Sequence, residues 1–252
     1  MTSSRVRDLM RDHHNFLFFA SRIEGTTIEF DAEEARHAVA VLRHTPGDSI
    51  RATDGAGTLY KCRVASIGDG RLSAAILSRT MVKRHTCSLQ LFVGLPKRDA
   101  FETLACNLAA LGVERITPLV AGHCQQPWWK QWDGKAAGRL RGKMIAGMKQ
   151  SSYFFLPQLD PPLAFRDIGS ALSGFTIMAD AEGSSFSTVL DTVKANDGRY
   201  SCIVGPPGGF AAEETAALCA LGVLPVRIAA SRLTTELAAV VMASEIMGVR
   251  LP

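Results

Sequence analysis

Long apolar runs are missing from this 252-residue chain, in which no stretch approaches the ~20 uninterrupted apolar residues of a membrane helix. The segment Met1 to His14 is polar and charged and lacks the apolar centre of a secretion signal. The expectation is a cytoplasmic protein with no membrane partner. Paired cysteines are missing as well. Cys62, Cys87, Cys106, Cys124, Cys202 and Cys219 stand singly, without a CxxC pair or a zinc-like Cys/His spacing. They read as reduced thiols acting as small hydrophobes, and no metal is expected. GxSxG, HExxH and paired catalytic carboxylates are absent, which sets aside the common hydrolases. GxGxxG and GxxxxGK[ST] are absent too, which disfavours a dinucleotide or P-loop site. His37, His44, His85 and His123 are isolated and read as structural, and His13 and His14 fall in the terminal segment.

What is present is an ordinary globular composition, 47% apolar and 21% charged, with a net charge of +4. The patterning changes near Val82 to Cys87, so two domains are expected, residues 1–84 and 85–252. Before the change, Phe16 to Phe19, Thr26 to Phe30, Ser49 to Thr53, Leu59 to Ile67 and Leu72 to Leu77 read as short strands. The turns Asp54-Gly55-Ala56-Gly57 and Gly68-Asp69-Gly70 separate the last three. A helix starts at Asp31, with Glu34 at capping-box spacing and an apolar stripe of Ala35, Ala38, Val39 and Leu42. Pro46-Gly47-Asp48 ends it. A small β-barrel carrying one helix fits this order.

After the change, the apolar run Ser88 to Leu95 has the character of a strand buried on both faces. Further strands are expected at Arg115 to Val120, Phe175 to Ala179, Ser201 to Val204 and Leu224 to Ala229. One helix carries Phe101, Leu104, Ala105, Leu108 and Leu111, with Asp99 and Glu102 at capping spacing and Gly112 as its stop. Others cover Lys135 to Gln150, Glu213 to Ala220 and Thr235 to Gly248. The alternation is that of an α/β fold with an open parallel sheet, whose ligands bind beyond the carboxyl ends of the strands.

Three features can carry chemistry. Val204-Gly205-Pro206-Pro207-Gly208-Gly209-Phe210 follows a strand, and its glycines allow a close ligand approach; a mere turn accounts for it equally well. Ala229 to Ala238 links the last strand to the last helix, where Thr234 or Thr235 suits an N-cap and Glu236 the helix dipole. Helix capping alone would also explain that segment. Between Lys130 and Lys149 stand Lys130, Lys135, Arg139, Arg141, Lys143 and Lys149 against the single acid Asp133, just after Trp128, Trp129 and Trp132. Cations neutralise phosphates and aromatic faces stack on unpaired bases; a solvated amphipathic helix is the alternative.

In order and spacing, four segments resemble the RsmE family of SPOUT methyltransferases. The first is His37-Ala38-Val39-Ala40-Val41-Leu42-Arg43 with Pro46-Gly47-Asp48 and Asp54-Gly55. The second runs from Lys97-Arg98-Asp99 through Leu111-Gly112-Val113 to Ile116-Thr117-Pro118. The third is Gln150-Ser151 with Leu156-Pro157. The fourth pairs Gly205 to Phe210, similar to "GPEGGF", with Leu233 to Ala238, similar to "LRTETA".

The resemblance implies an N-terminal PUA-like small β-barrel and a C-terminal SPOUT parallel sheet tied in a trefoil knot. It implies a homodimer that uses S-adenosylmethionine to methylate N3 of a uridine in small-subunit ribosomal RNA. By the same resemblance, Val204, Gly205, Pro206, Gly208, Gly209, Ile228, Leu233, Thr234 and Ala238 hold the cofactor, and Thr235 and Glu236 are catalytic. Arg43, Lys97, Arg98, Lys135, Arg139, Lys143, Lys149 and Gln150 contact RNA. The chain departs from the family at polar positions. Pro207 replaces a Glu, Thr234 an Arg, Leu237 a Thr, Ala110 a Glu, Asn107 a Lys, Tyr153 an Arg and Lys149 a Glu. A divergent paralogue that binds another RNA, or binds without transferring a methyl group, is the competing expectation. A nucleotide-using α/β enzyme is a distant third, since its phosphate-binding spacings are missing.

Overall fold

A computed structural model describes residues 16–68, 70–84, 87–124 and 127–249. Asp69, His85 and the pair His13–His14 lie outside the described residues. The chain forms two compact units, one made of the first 84 residues with Met148–Leu156, the other of the remainder.

In the first unit, strands β1 (Leu17–Phe19), β2 (Arg22–Glu24), β3 (Thr27–Phe30), β4 (Ser49–Thr53), β5 (Thr58–Gly68) and β6 (Arg71–Met81) form one sheet in the order β1-β4-β5-β6-β3-β2. It is a curled half-barrel. Its inner face holds Phe18, Ile28, Phe30, Ile50, Tyr60, Val64 and Leu72, the alternate positions that period-two pairing turns inward. Strand β2 has no signal in the sequence, since Arg22-Ile23-Glu24 is short and exposed at both ends.

The expected helix is shorter than its apolar stripe suggests. Helix α1 (Ala32–Arg36) passes directly into a π-helical turn, His37–Val41. The wider turn advances the faces, so Ala35 and Ala38 reach the core while Val39 is 46% exposed. The capping box is only half made. Asp31 accepts from the Glu33 and Glu34 amides, but Glu34 turns inward. Its carboxylate accepts from the Phe19 amide at 3.3 Å and pairs with the Lys149 ammonium. Burial pushes this carboxyl above its ordinary range, although Lys149 and the Phe19 amide pull it down.

A carboxyl whose pKa is raised on folding favours the folded state when protonated. That contribution is complete below the ordinary value of 4.5 and fades as pH rises through the raised value. Glu34→Gln is therefore expected to lose less stability than the wild type between about pH 4.5 and neutrality, read by urea melts at both pH values. Lys149→Ala leaves Glu34 buried without its cation, and about 3 kcal/mol of destabilisation is expected.

In the second unit, β7 (Ser88–Gly94), β8 (Arg115–Val120), β9 (Gln158–Leu159), β10 (Leu163–Ala164), β11 (Phe175–Ser185), β12 (Arg199–Val204) and β13 (Leu224–Arg227) form one parallel sheet. The order is β10-β8-β7-β12-β11-β13, with β9 on β8. Strand β7 lies centrally and is buried on both sides at Leu89, Leu91, Phe92 and Val93, as its apolar run requires. Helix α2 (Arg98–Leu111) buries Phe101, Leu104, Ala105 and Leu108 and ends on Gly112 at φ 83°. Its N-cap is Lys97, not Asp99; the Asp99 carboxylate accepts from the adjacent Ala100 amide. Helix α3 (Gly134–Gln150) buries Leu140, Met144 and Met148.

Helix α4 (Phe186–Ala195) is absent from the sequence expectation, because Ser and Thr surround its short stripe. Helices α5 (Ala212–Ala220) and α6 (Thr235–Val249) fall where periodicity places them. No helix of the described residues is long and apolar enough to cross a membrane.

Candidate active site

Two loops leave the carboxyl ends of parallel strands side by side. One runs from the end of β12 to α5, the other from the end of β13 to α6. A side chain at Gly94, the last residue of β7, would place its Cβ 2.2 Å from the Pro206 nitrogen. Glycine there lets the first loop cross directly over the strand end. Gly205 packs under the Phe210 ring, 3.2 Å from where its own Cβ would lie.

Helix termini anchor both loops. Glu214 in the first turn of α5 accepts from the Ala211 amide at 2.9 Å and the Gly122 amide at 2.8 Å, which fixes the end of the first loop. At α6, Thr234 accepts from the Leu237 amide at 3.4 Å. The loops are also stitched to each other. Thr235 Oγ1 donates to the Gly205 carbonyl at 2.9 Å, and Arg232 Nη2 donates to the Pro207 carbonyl at 3.3 Å.

Between the loops lies an open cleft of about 870 Å³. Of the residues expected to hold a cofactor, Val204, Gly205, Pro206, Gly209, Ile228, Leu233, Thr234 and Ala238 line it, as do Thr235 and Glu236. Gly208 does not; its Cα faces His123, whose Cβ would lie 2.8 Å from an added methyl. Thr235 is buried, with its hydroxyl engaged on Gly205, whereas Glu236 is half-buried in the cleft wall.

Sequence reasoning missed a third wall. Strand β11 shifts register against β13 between Ala179 and Ser184, and the bulge turns Asp180, Ala181 and Glu182 into the cleft. Arg227, Arg232 and Phe210 also line it. No spacing in the sequence marks Asp180, Ala181 and Glu182, because the bulge is made by backbone pairing rather than by residue type.

The expected RNA contacts do not fall together. Lys97 lines the cleft. Arg98, Lys135 and Arg139 line a smaller cavity of about 190 Å³ beside Trp128 and Gln131. There Arg139 lies 3.6 Å from Glu102, and the Arg98 guanidinium 5.9 Å from the Trp128 ring centre. Trp128 donates to the Pro96 carbonyl at 2.8 Å and packs on Phe101 and Trp132. Lys143 is exposed on α3, outside that cavity. Arg43, exposed at φ 57° just past the π turn, Lys149 and Gln150 belong to the first unit. Lys149 is paired with Glu34.

Among the described residues no group of His, Cys, Asp or Glu is placed to hold a metal ion. The six cysteines are free thiols; burial raises the Cys62 thiol to about 11 and the Cys202 thiol further. These two are not poised as nucleophiles.

Known proteins share this arrangement. Residues 83–247 match the profile of the RNA methyltransferase domain, and residues 30–77 that of the RNA methyltransferase PUA domain. Ribosomal RNA small subunit methyltransferase E of Mycobacterium bovis is 30% identical over 223 residues, covering 86% of this chain and 84% of that protein. Its namesake in Rickettsia conorii is 26% identical, covering 80% and 81%. A methyltransferase of Legionella pneumophila, solved with bound S-adenosylmethionine, superposes with a TM-score of 0.84 at 22% identity, covering 93% of this chain and 97% of that one. The ribosomal RNA small subunit methyltransferase E of Neisseria gonorrhoeae, bound to the same molecule, superposes with 0.80 at 20%, covering 92% and 96%. With an RNA methyltransferase domain behind a PUA domain, and a relative at this identity over most of both chains, the protein belongs to the ribosomal RNA small subunit methyltransferase E family.

Proposed function

We propose that the protein is an S-adenosylmethionine-dependent methyltransferase that acts on N3 of a uridine in small-subunit ribosomal RNA. The observation that carries this reading is the cleft between the two stitched loops, at the carboxyl ends of β12 and β13. The residues fit the cofactor. Gly205, Gly209, Ile228 and Ala229 bring backbone close to the cavity, and Phe210 and Leu233 offer apolar walls for a purine. When bound, S-adenosylmethionine supplies a methyl group on a sulfonium; the N–C bond forms as the C–S bond breaks, and its electron pair stays on sulfur.

The chain's own residues then have two tasks. They must hold the acceptor nitrogen in line, and they must take the proton that N3 carries. Glu236, half-buried in the wall, is assigned as the proton acceptor. Thr235 is assigned as the tie that keeps the loops in register, with its hydroxyl on the Gly205 carbonyl. Lys97 at the cleft and Arg98, Lys135, Arg139 and Lys143 beyond it would hold phosphates, with Arg43 and Gln150 contributing from the PUA-bearing unit. The domain limits 1–84 and 85–252, with Met148–Leu156 grouped with the first unit, a homodimer and a knotted sheet complete the reading.

Calorimetric titration with S-adenosylmethionine, followed by nucleoside mass spectrometry of ribosomal RNA from cells with and without the gene, tests the reading. Binding together with loss of 3-methyluridine in the deletion strain is expected. Binding without any change in the RNA would favour the divergent paralogue, which the missing arginine at Thr234 motivates. No binding would overturn the enzymatic reading.

A further inference from the structure

We infer that Arg232 stabilises the negative charge that develops on the target base, in place of the arginine the family motif carries where this chain has Thr234. The inference rests on the methyltransferase reading above.

Three observations place Arg232 in that role. It lines the cleft together with Thr234 and Glu236, although it stands two residues before the motif position. Its side chain is exposed, and its guanidinium reaches the other loop through one hydrogen bond, from Nη2 to the Pro207 carbonyl at 3.3 Å. Among the described residues no carboxylate pairs with it, and the loop it reaches, Gly205 to Phe210, contains no acid. The motif's Glu is Pro207 here. The proline offers the Arg232 guanidinium only its backbone carbonyl.

The chemistry suits an arginine. It keeps its charge at any working pH and carries five donors, of which one is engaged. When the N3–H bond of a uracil breaks and its proton passes to Glu236, the electron pair left on the ring spreads over N3 and the two carbonyl oxygens. That pair becomes the new N–C bond. A guanidinium beside those oxygens lowers the barrier because it meets charge that exists only during the reaction.

The test uses the full-length protein and isolated small ribosomal subunits. Arg232→Ala is expected to lose about a hundredfold to a thousandfold in kcat. S-adenosylhomocysteine affinity by calorimetry, and RNA affinity with its salt slope, should stay within about threefold of the wild type. Arg232→Ala with Thr234→Arg should regain most of the lost turnover, since the second change returns a guanidinium to the same cleft. An active wild type whose Arg232→Ala variant keeps its kcat overturns the assignment alone. A weaker RNA affinity with a salt slope reduced by about one would make Arg232 a phosphate contact instead. A wild type that transfers no methyl group overturns both the assignment and the reading beneath it.

Discussion

Glu236→Gln lowers turnover by about a hundredfold to ten-thousandfold while cofactor affinity stays near the wild-type value. The size is that of removing the general base proposed above, and the selectivity follows from the geometry. Glu236 lies in the first turn of α6 and is half-buried in the cleft wall, beside but not within the glycine loop. Glutamine keeps its length and its place at the helix N-terminus, so the Thr234 cap and the Thr235 tie to Gly205 remain. It cannot accept a proton. Single-turnover methyl transfer to isolated subunits, alongside calorimetry with S-adenosylhomocysteine, separates the two quantities. A variant that binds the cofactor and turns over like the wild type would move the base to Asp180 or Glu182, the other carboxylates of the cleft.

Gly94→Ala is expected to abolish cofactor binding at ordinary concentrations and to destabilise the second unit. The added methyl would lie 2.2 Å from the Pro206 nitrogen and 2.6 Å from the Gly205 carbonyl carbon. Both neighbours are backbone in a loop that Thr235 ties down through the Gly205 carbonyl, so neither can give way without opening the cleft. Overpacking of this kind costs about 1–3 kcal/mol, which for a chain of this size is a melting shift of about 2–4 °C per kcal/mol.

Gly147→Ala is the informative comparison. Its methyl would meet the Cys106 carbonyl oxygen at 2.0 Å, where α3 crosses α2, and neither residue lines the cleft. It should lower the melting temperature while leaving S-adenosylhomocysteine affinity unchanged. If Gly94→Ala and Gly147→Ala weaken binding equally, the loss reflects general destabilisation and not the loop crossing.

Much of the parallel sheet was legible in the sequence, and the reason is burial. Strand β7 is enclosed on both faces from Leu91 to Val93, so its second half is an unbroken apolar run. Helix α2 shows its stripe for the same reason, and Gly112 at φ 83° marks its end. The glycine loop and the Leu233–Ala238 segment were visible as a pair only through their order in the chain. Legibility failed where pairing geometry and not residue type sets the structure. The π turn at His37–Val41 exposes Val39, which a regular helix would have buried. Glu34 reads as half of a capping box but is spent on Lys149, 115 residues away. Asp99 reads as a cap and is the second residue of its helix.

The sequence by itself determined the class of the protein. Apolar runs demanded a buried parallel sheet, and the missing phosphate-loop spacings disfavoured nucleotide enzymes. Two loop motifs in order pointed to the methyltransferase family. Only the tertiary structure decided what fills the cleft wall. A register shift in β11 brings in Asp180 and Glu182, and the hydrogen bond to Pro207 brings in Arg232. A local pattern records which residues must be buried or must turn. It holds no record of which strand end lies beside which loop, since that depends on the long-range packing of the whole sheet.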